Sequence, residues 1–355
     1  ELTAKRAVPA LPVAGSFRSI DFALSSMSNS HIQTVAVLTQ YNARSLNEHL
    51  SSSKWWNFGR KQGGLFLFTP TVTADNSDWY RGTADAMYQN IDFLKRRHEP
   101  YVIISSGDCV YKLDFNRVLD FHIEKKSDIT VVCKDMMYND DVSRFGVVRM
   151  DDESRITEFD EKPIEALSNT ISTGIYVIRR RQLIELLEAA AEENRFDFVN
   201  DILVRYKNVK KIYGYKINSY WNNIADIDAY FKTNMDFLRP DIRSYFFREE
   251  PTICSKVDDL PPAKFNPGSD ISNSLVSSGC IINGSVEDSV LFKQVFVGKN
   301  TTVKNCVLLN DVYIGDNVHL ENCIVESRGT INPNTCYCGE DGVMIVKEKN
   351  VRYVI

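Results

Sequence analysis

Three short passages near the end of the chain repeat one another in phase. Ser285-Val286-Glu287-Asp288-Ser289-Val290-Leu291 is echoed by Thr302-Val303-Lys304-Asn305-Cys306-Val307-Leu308, then by His319-Leu320-Glu321-Asn322-Cys323-Ile324-Val325. The offset is 17 residues both times, and Gly298 to Gly315 keeps it. Residues 270–276 read as a degenerate earlier copy. A period near 17 with an aliphatic about every six residues is one coil of a three-faced parallel β-helix. Each coil then points Val286, Val303 and Leu320 inward in one column, and Ser289, Cys306 and Cys323 in a second. Three phased copies that agree at several positions leave chance likeness a poor rival.

Upstream the grammar changes. At 355 residues the chain is too long for one ordinary core and fits two domains. Residues 1–240 alternate apolar strands (35–38, 101–105, 128–133, 145–150, 175–178, 211–217) with amphipathic helices (84–97, 116–125, 180–193, 227–238). In the helix over 84–97, Met87, Ile91 and Leu94 lie on one face. Such alternation predicts an α/β domain with a parallel sheet covered on both faces and ligands at the carboxyl ends of its strands. Residues 241–270 carry Pro251, Pro261, Pro262, Pro267 and Gly268 and read as a connector, leaving 271–355 to the β-helix.

Net charge is −5, so no global basic field attracts nucleic acid, and phosphate must be held by local Lys, Arg and backbone N–H groups. No apolar run approaches the ~20 residues a membrane span needs. The eight cysteines read as reduced, mostly buried thiols of a cytoplasmic protein. Cys336 and Cys338 form a lone C-x-C without a second pair at zinc spacing, which argues against a metal site there.

Four motifs fall at strand ends. Ser106-Gly107-Asp108 puts a carboxylate at the sheet's ligand edge, where it can hold Mg²⁺ between phosphates, although a plain turn explains the tripeptide equally well. Trp79-Tyr80-Arg81-Gly82-Thr83-Ala84-Asp85-Ala86 opens a helix whose free N–H groups can receive a phosphate or a nucleotide edge; the bland reading is an N-cap by Thr83. Phe145-Gly146-Val147 and Phe159-Asp160-Glu161-Lys162-Pro163 are strand-end patches. Lys162 there can fix a sugar phosphate while Glu161 takes hydroxyls.

Taken in order, these motifs resemble the glucose-1-phosphate adenylyltransferase (ADP-glucose pyrophosphorylase) family along almost the whole chain. Further matching stretches are residues 6–10, 17–22, 38–41, 172–176, 220–221, Asp228 and 274–280. The resemblance implies a Rossmann-like nucleotidyltransferase α/β domain followed by a left-handed parallel β-helix, assembled as tetramers, joining ATP to glucose 1-phosphate. It implies a Mg²⁺ ligand in Asp108 and sugar-phosphate contacts by Gly146, Glu161, Lys162, Ser172 and Gly174. It places Gln40, Tyr80, Gly82, Thr83 and Gly107 near the nucleotide.

Three departures fall where the chemistry occurs. The family's glycine-rich G-G-x-G-T-R-L loop is not within these residues and is expected immediately before Glu1. Val8, within Arg6-Ala7-Val8-Pro9, replaces a Lys that faces the ATP phosphates. Asn223, within Trp221-Asn222-Asn223-Ile224-Ala225, replaces the second metal-binding Asp, and Asn222 replaces an Arg. The resemblance with these losses implies an accessory subunit most like the bacterial D-type subunit of glycogen synthesis. Such a subunit modulates a homologous catalytic subunit in a hetero-tetramer and has glucose 1-phosphate, ADP-glucose and ATP as its small-molecule ligands. A divergent but active adenylyltransferase, needing Mg²⁺, is the alternative. A β-helix acyltransferase is a weaker one, since His319 is the sole His in the repeats. Transfer of another base is disfavoured by residues 80–86.

Overall fold

The computed structural model describes residues 2–59, 63–71, 79–137 and 140–349. Its first domain is built around one long strand, Thr170–Arg179. Ile129–Asp135 lies antiparallel along one edge, with Ile212–Lys216 parallel beyond it. The other edge is shared. Gly146–Met150 meets it at Ile171 and continues outward to Ile156–Glu161, while Tyr101–Ser105 runs alongside Ile175 to Arg179. The register slips between Ser172 and Tyr176, where the sheet divides between those two neighbours. That split positions the site.

The sheet is therefore mixed, not parallel as strand–helix alternation predicts; among its described strands only 212–216 pairs in parallel, while Thr34–Leu38 and Gly64–Phe68 form a separate parallel pair. The cause is local. Gly146–Met150 and Ile156–Glu161 form an antiparallel hairpin with no crossover helix, and a parallel pair needs one. Both faces are covered as expected. Tyr176 and Ile178 pack with Leu183, Leu187, Phe198 and Ile202, whereas Ile175 and Val177 pack with Ile20, Leu24, Phe115 and Val118. The single helix expected over 84–97 is two, Thr83–Gln89 and Ile91–Lys95. Asn90 breaks it: its amide donates to the Ala86 carbonyl and the Tyr80 hydroxyl, both at 2.9 Å, competing with helical bonding.

The repeats form three five-stranded parallel sheets. Val286, Val303 and Leu320 stack in register, fully buried. Ser289, Cys306 and Cys323 are equally buried, and the Cys306 N–H donates to Ser289 Oγ at 3.0 Å. Ile271 joins the first column as the degenerate copy. Asn300, Asn317 and Asn334 turn corners at φ of 53°, 57° and 61°, a left-handed conformation Asn tolerates. Their side-chain amides are stacked at 3.3 and 3.0 Å. The connector holds a helix, Pro240–Phe247, and the first coil strand, Lys264–Phe265, begins inside it.

The outward column Val290, Val307 and Ile324 is buried beneath Phe22 and Phe237 of the first domain and Phe246 of the connector. Phe22 and Phe246 meet edge to face at 5.3 Å. The chain thus covers this apolar edge of the prism itself.

Candidate functional site

Strand Tyr101–Ser105 ends where the bulge of Thr170–Arg179 opens. The Ser106 N–H donates to the Gly174 carbonyl at 3.0 Å, and Gly174 takes φ +75° to present it. Gly107 is wedged: a Cβ there would lie 3.0 Å from Ile20 and 3.1 Å from Pro9. Its carbonyl accepts the Ser19 hydroxyl at 2.7 Å, so the stretch over 17–22 serves to hold this turn. Asp108 follows, with the Ser106 hydroxyl donating to its Oδ1 and the Cys109 thiol 3.3 Å from the same oxygen. Burial, and then the Asp108 charge, push the Cys109 thiol well above its usual range.

Cys109–Tyr111 pairs antiparallel with Trp221–Asn223, and the register sets Asn223 opposite Cys109, beside Asp108. The Asn223 side-chain oxygen accepts the Ala225 N–H at 2.9 Å, and its Nδ2 lies 3.5 Å from Cys109 Sγ. Asn222 faces elsewhere, donating to the Tyr220 hydroxyl at 2.7 Å. Val8 opens a short 3-10 helix, Val8–Ala10, whose Pro9 rests on Gly107. The structure thus brings Val8, Gly107, Asp108 and Asn223 to one place.

Across the split, Gly146 stands opposite Glu161. A Cβ on Gly146 would lie 2.9 Å from Glu161 Oε2 and 2.8 Å from the Phe159 ring, so only glycine leaves the carboxylate its position. Burial raises the Glu161 pKa, Lys162 opposes the shift, and Asp197 adds to it. Lys162 sits at φ +50° with its N–H on the Phe145 carbonyl at 3.1 Å. Its Nζ is 3.9 Å from Glu161 Oε1, on a side chain 67% exposed. Buried Ser172 lies 3.3 Å from the Tyr176 hydroxyl, whose pKa is raised first by burial and then lowered by that contact. Asp197 and Tyr176 belong to this group, and sequence reading missed both. Asp197 sits in an ordinary Phe-Asp-Phe run, with no signal that would have found it.

The nucleotide-side segment differs from expectation. Gly82, not Thr83, holds the N-cap position, without a side-chain cap. The Ala84 and Asp85 N–H groups are not free: both donate to the Phe196 carbonyl, at 2.8 and 3.2 Å. Thr83 Oγ1 accepts the Phe198 N–H at 2.9 Å. Gly82 permits this, since a Cβ would lie 2.3 Å from the Phe196 oxygen. Gln40 grips the Tyr80 backbone from both sides, accepting its N–H at 2.6 Å and donating to its carbonyl at 3.2 Å. These residues build the wall rather than offer open donors. Beside them Tyr41 and Trp79 stack at 5.5 Å, 70% and 59% exposed, an aromatic platform not anticipated from sequence.

Residues 1–239 match the family described as Nucleotidyl transferase, and residues 261–346 the one described as GlmU-like, C-terminal hexapeptide. The glucose-1-phosphate adenylyltransferase of Clostridium acetobutylicum is 39% identical over 303 residues, covering 84% of this chain and 80% of that protein. That of Bacillus subtilis is 36% identical over 304 residues, covering 85% and 80%. The enzyme of Pseudothermotoga lettingae is 39% identical over 302 residues, covering 84% and 71%. The chain belongs to the glucose-1-phosphate adenylyltransferase family. Within that family's fold, a nucleotidyltransferase domain followed by a parallel β-helix, the divided sheet edge carries Asp108 on one side and Glu161 with Lys162 on the other. Among the described residues, no helix is long and apolar enough to cross a membrane.

Proposed function

We propose that this chain is an accessory, regulatory subunit of glucose-1-phosphate adenylyltransferase in glycogen synthesis, binding sugar phosphate well and catalysing poorly by itself. One contrast supports the reading. The sugar side keeps Gly146, Glu161, Lys162, Ser172 and Gly174 in a consistent group. The phosphate and metal side has Val8, which carries no charge, and Asn223, whose amide oxygen is engaged by the Ala225 N–H. Mg²⁺ is commonly held by one or two carboxylates plus substrate phosphates. Asp108 supplies one carboxylate, so the residues fit a Mg²⁺ ion bound mainly through the nucleotide and with one anionic ligand fewer. When bound, such an ion neutralises charge on the transferring phosphates. Stabilisation of that charge is usually the largest catalytic contribution, and losing one donor costs about 10²–10³-fold.

The names of the relatives favour a second reading, an active though divergent adenylyltransferase. Turnover of the purified chain separates the two. With two independent losses, the rate is expected about 10⁴-fold or more below the ~1–10³ per second ordinary for enzymes. Turnover within that ordinary range refutes the accessory reading.

A further inference from the structure

Strand register in the last two coils places four potential metal ligands on one outer face. His319 pairs with Cys336 and Glu321 with Cys338, so two neighbouring strands each project two side chains outward around buried Leu320 and half-buried Tyr337. The C-x-C that lacks a second pair in sequence finds one across the rung, as His-x-Glu. Three of the ligand atoms, those of His319, Glu321 and Cys338, converge, and Cys336 adjoins them through Cys338. His319 Nε2 lies 3.6 Å from Glu321 Oε2, and Cys336 Sγ lies 3.6 Å from Cys338 Sγ. The ligand atoms of His319, Glu321 and Cys338 all fall within 4.8 Å of one another.

The same two columns in earlier coils carry Ser285 with Glu287, then Thr302 with Lys304. Those are ordinary outer-face residues, and Lys304 closes an ion pair with Glu287 at 3.4 Å. Only the last two rungs substitute imidazole, carboxylate and two sulfurs. We propose that His319, Glu321, Cys336 and Cys338 form a binding site for Zn²⁺ that clamps the final coil onto the one before it. Tetrahedral zinc, with bonds of roughly 2.0–2.3 Å, sets its ligand atoms roughly 3.3–3.8 Å apart, which matches both 3.6 Å spacings. Two thiolates with one nitrogen and one oxygen select Zn²⁺ over Mg²⁺ or Ca²⁺. With Cys336, exposed beside Cys338, turned in as the fourth protein ligand, the site is closed, which gives it a structural role. Binding replaces the two thiol protons by the metal, with no redox change.

The test uses the full chain, reduced and stripped with chelator, titrated with Co²⁺ and then Zn²⁺. The expected result is one equivalent of Co²⁺ showing thiolate-to-metal charge-transfer bands and the visible bands of a four-coordinate ion, displaced by Zn²⁺. Cys336→Ser with Cys338→Ser should abolish the thiolate bands, and Cys254→Ser should leave them intact. His319→Ala should retain them while weakening affinity about 100-fold, one ligand's share of the free energy of a four-ligand zinc site. All four side chains lie on the outer face, and thermal melts verify that each variant is folded. Absence of four-coordinate bands in the unmodified chain, or their survival in the double serine variant, overturns the proposal.

Discussion

Removal of the Lys162 side chain separates a ligand-binding role from a structural one. Lys162 is 67% exposed, and among the described residues it pairs with Glu161 at 3.9 Å, a geometry that contributes at most about 1 kcal/mol in water. Its backbone is held left-handed at φ +50°, a conformation alanine shares with lysine, so Lys162→Ala leaves that strain unchanged. Folding stability should therefore move by no more than about 1 kcal/mol. Ligand affinity should respond differently. A charge-assisted contact between the ammonium and a sugar phosphate contributes about 1.5–3 kcal/mol, so its loss raises Kd roughly 10–150-fold. Calorimetry with glucose 1-phosphate and with ADP-glucose reads the affinity, and urea unfolding reads the stability. An unchanged Kd refutes the assignment of Lys162 to the sugar phosphate. A loss of 2 kcal/mol or more in stability would show instead that the residue is structural (roughly the size of a buried group's contribution).

Two other predictions concern the scaffold. Gly82→Ala puts a Cβ 2.3 Å from the Phe196 carbonyl oxygen and should cost about 1–3 kcal/mol of stability; an unchanged urea midpoint contradicts the close approach. Burial, assisted by Arg179 and opposed by Asp128, lowers the His122 pKa to about 4, while the unfolded chain titrates near ~6.5. The unfolded state therefore takes up this proton first, and the His122 contribution to stability, intact above pH ~6.5, is lost as pH falls toward 4. Unfolding of the wild type and His122→Gln across that range should give converging stabilities at low pH; parallel curves refute the assignment.

The β-helix was legible because each coil repeats its own instructions: Val286, Val303 and Leu320 occupy one register position at a spacing the sequence displays. In the first domain the apolar strands were legible, but Gly64–Phe68, Cys109–Tyr111, Ile156–Glu161 and Trp221–Asn223 were not, and direction was not legible for any. Pairing of Thr170–Arg179 with residues 35 to 78 positions earlier depends on topology, and local apolar runs do not encode which way a partner points. On the other side of the split, a strand-end glycine and the charged Glu161-Lys162 pair are visible in sequence, and the register brings Gly146 opposite Glu161. The Tyr80–Ala86 segment misled because its helix N–H groups are satisfied by Phe196, more than 100 residues downstream. Asp197 and the Tyr41–Trp79 platform escaped for the same reason: their neighbours meet only in the folded chain.

The accessory role predicts partnership, and coupled binding within an oligomer typically carries ~1–3 kcal/mol, a ~5–150-fold change in apparent affinity. The deciding measurement is co-expression with the catalytic homologue of the same cell, size-exclusion chromatography, and kinetics of the mixture against the catalytic subunit alone. A hetero-tetramer whose apparent substrate affinity differs roughly 5–150-fold from that of the catalytic subunit is the expected result. Separate elution with unchanged kinetics contradicts it.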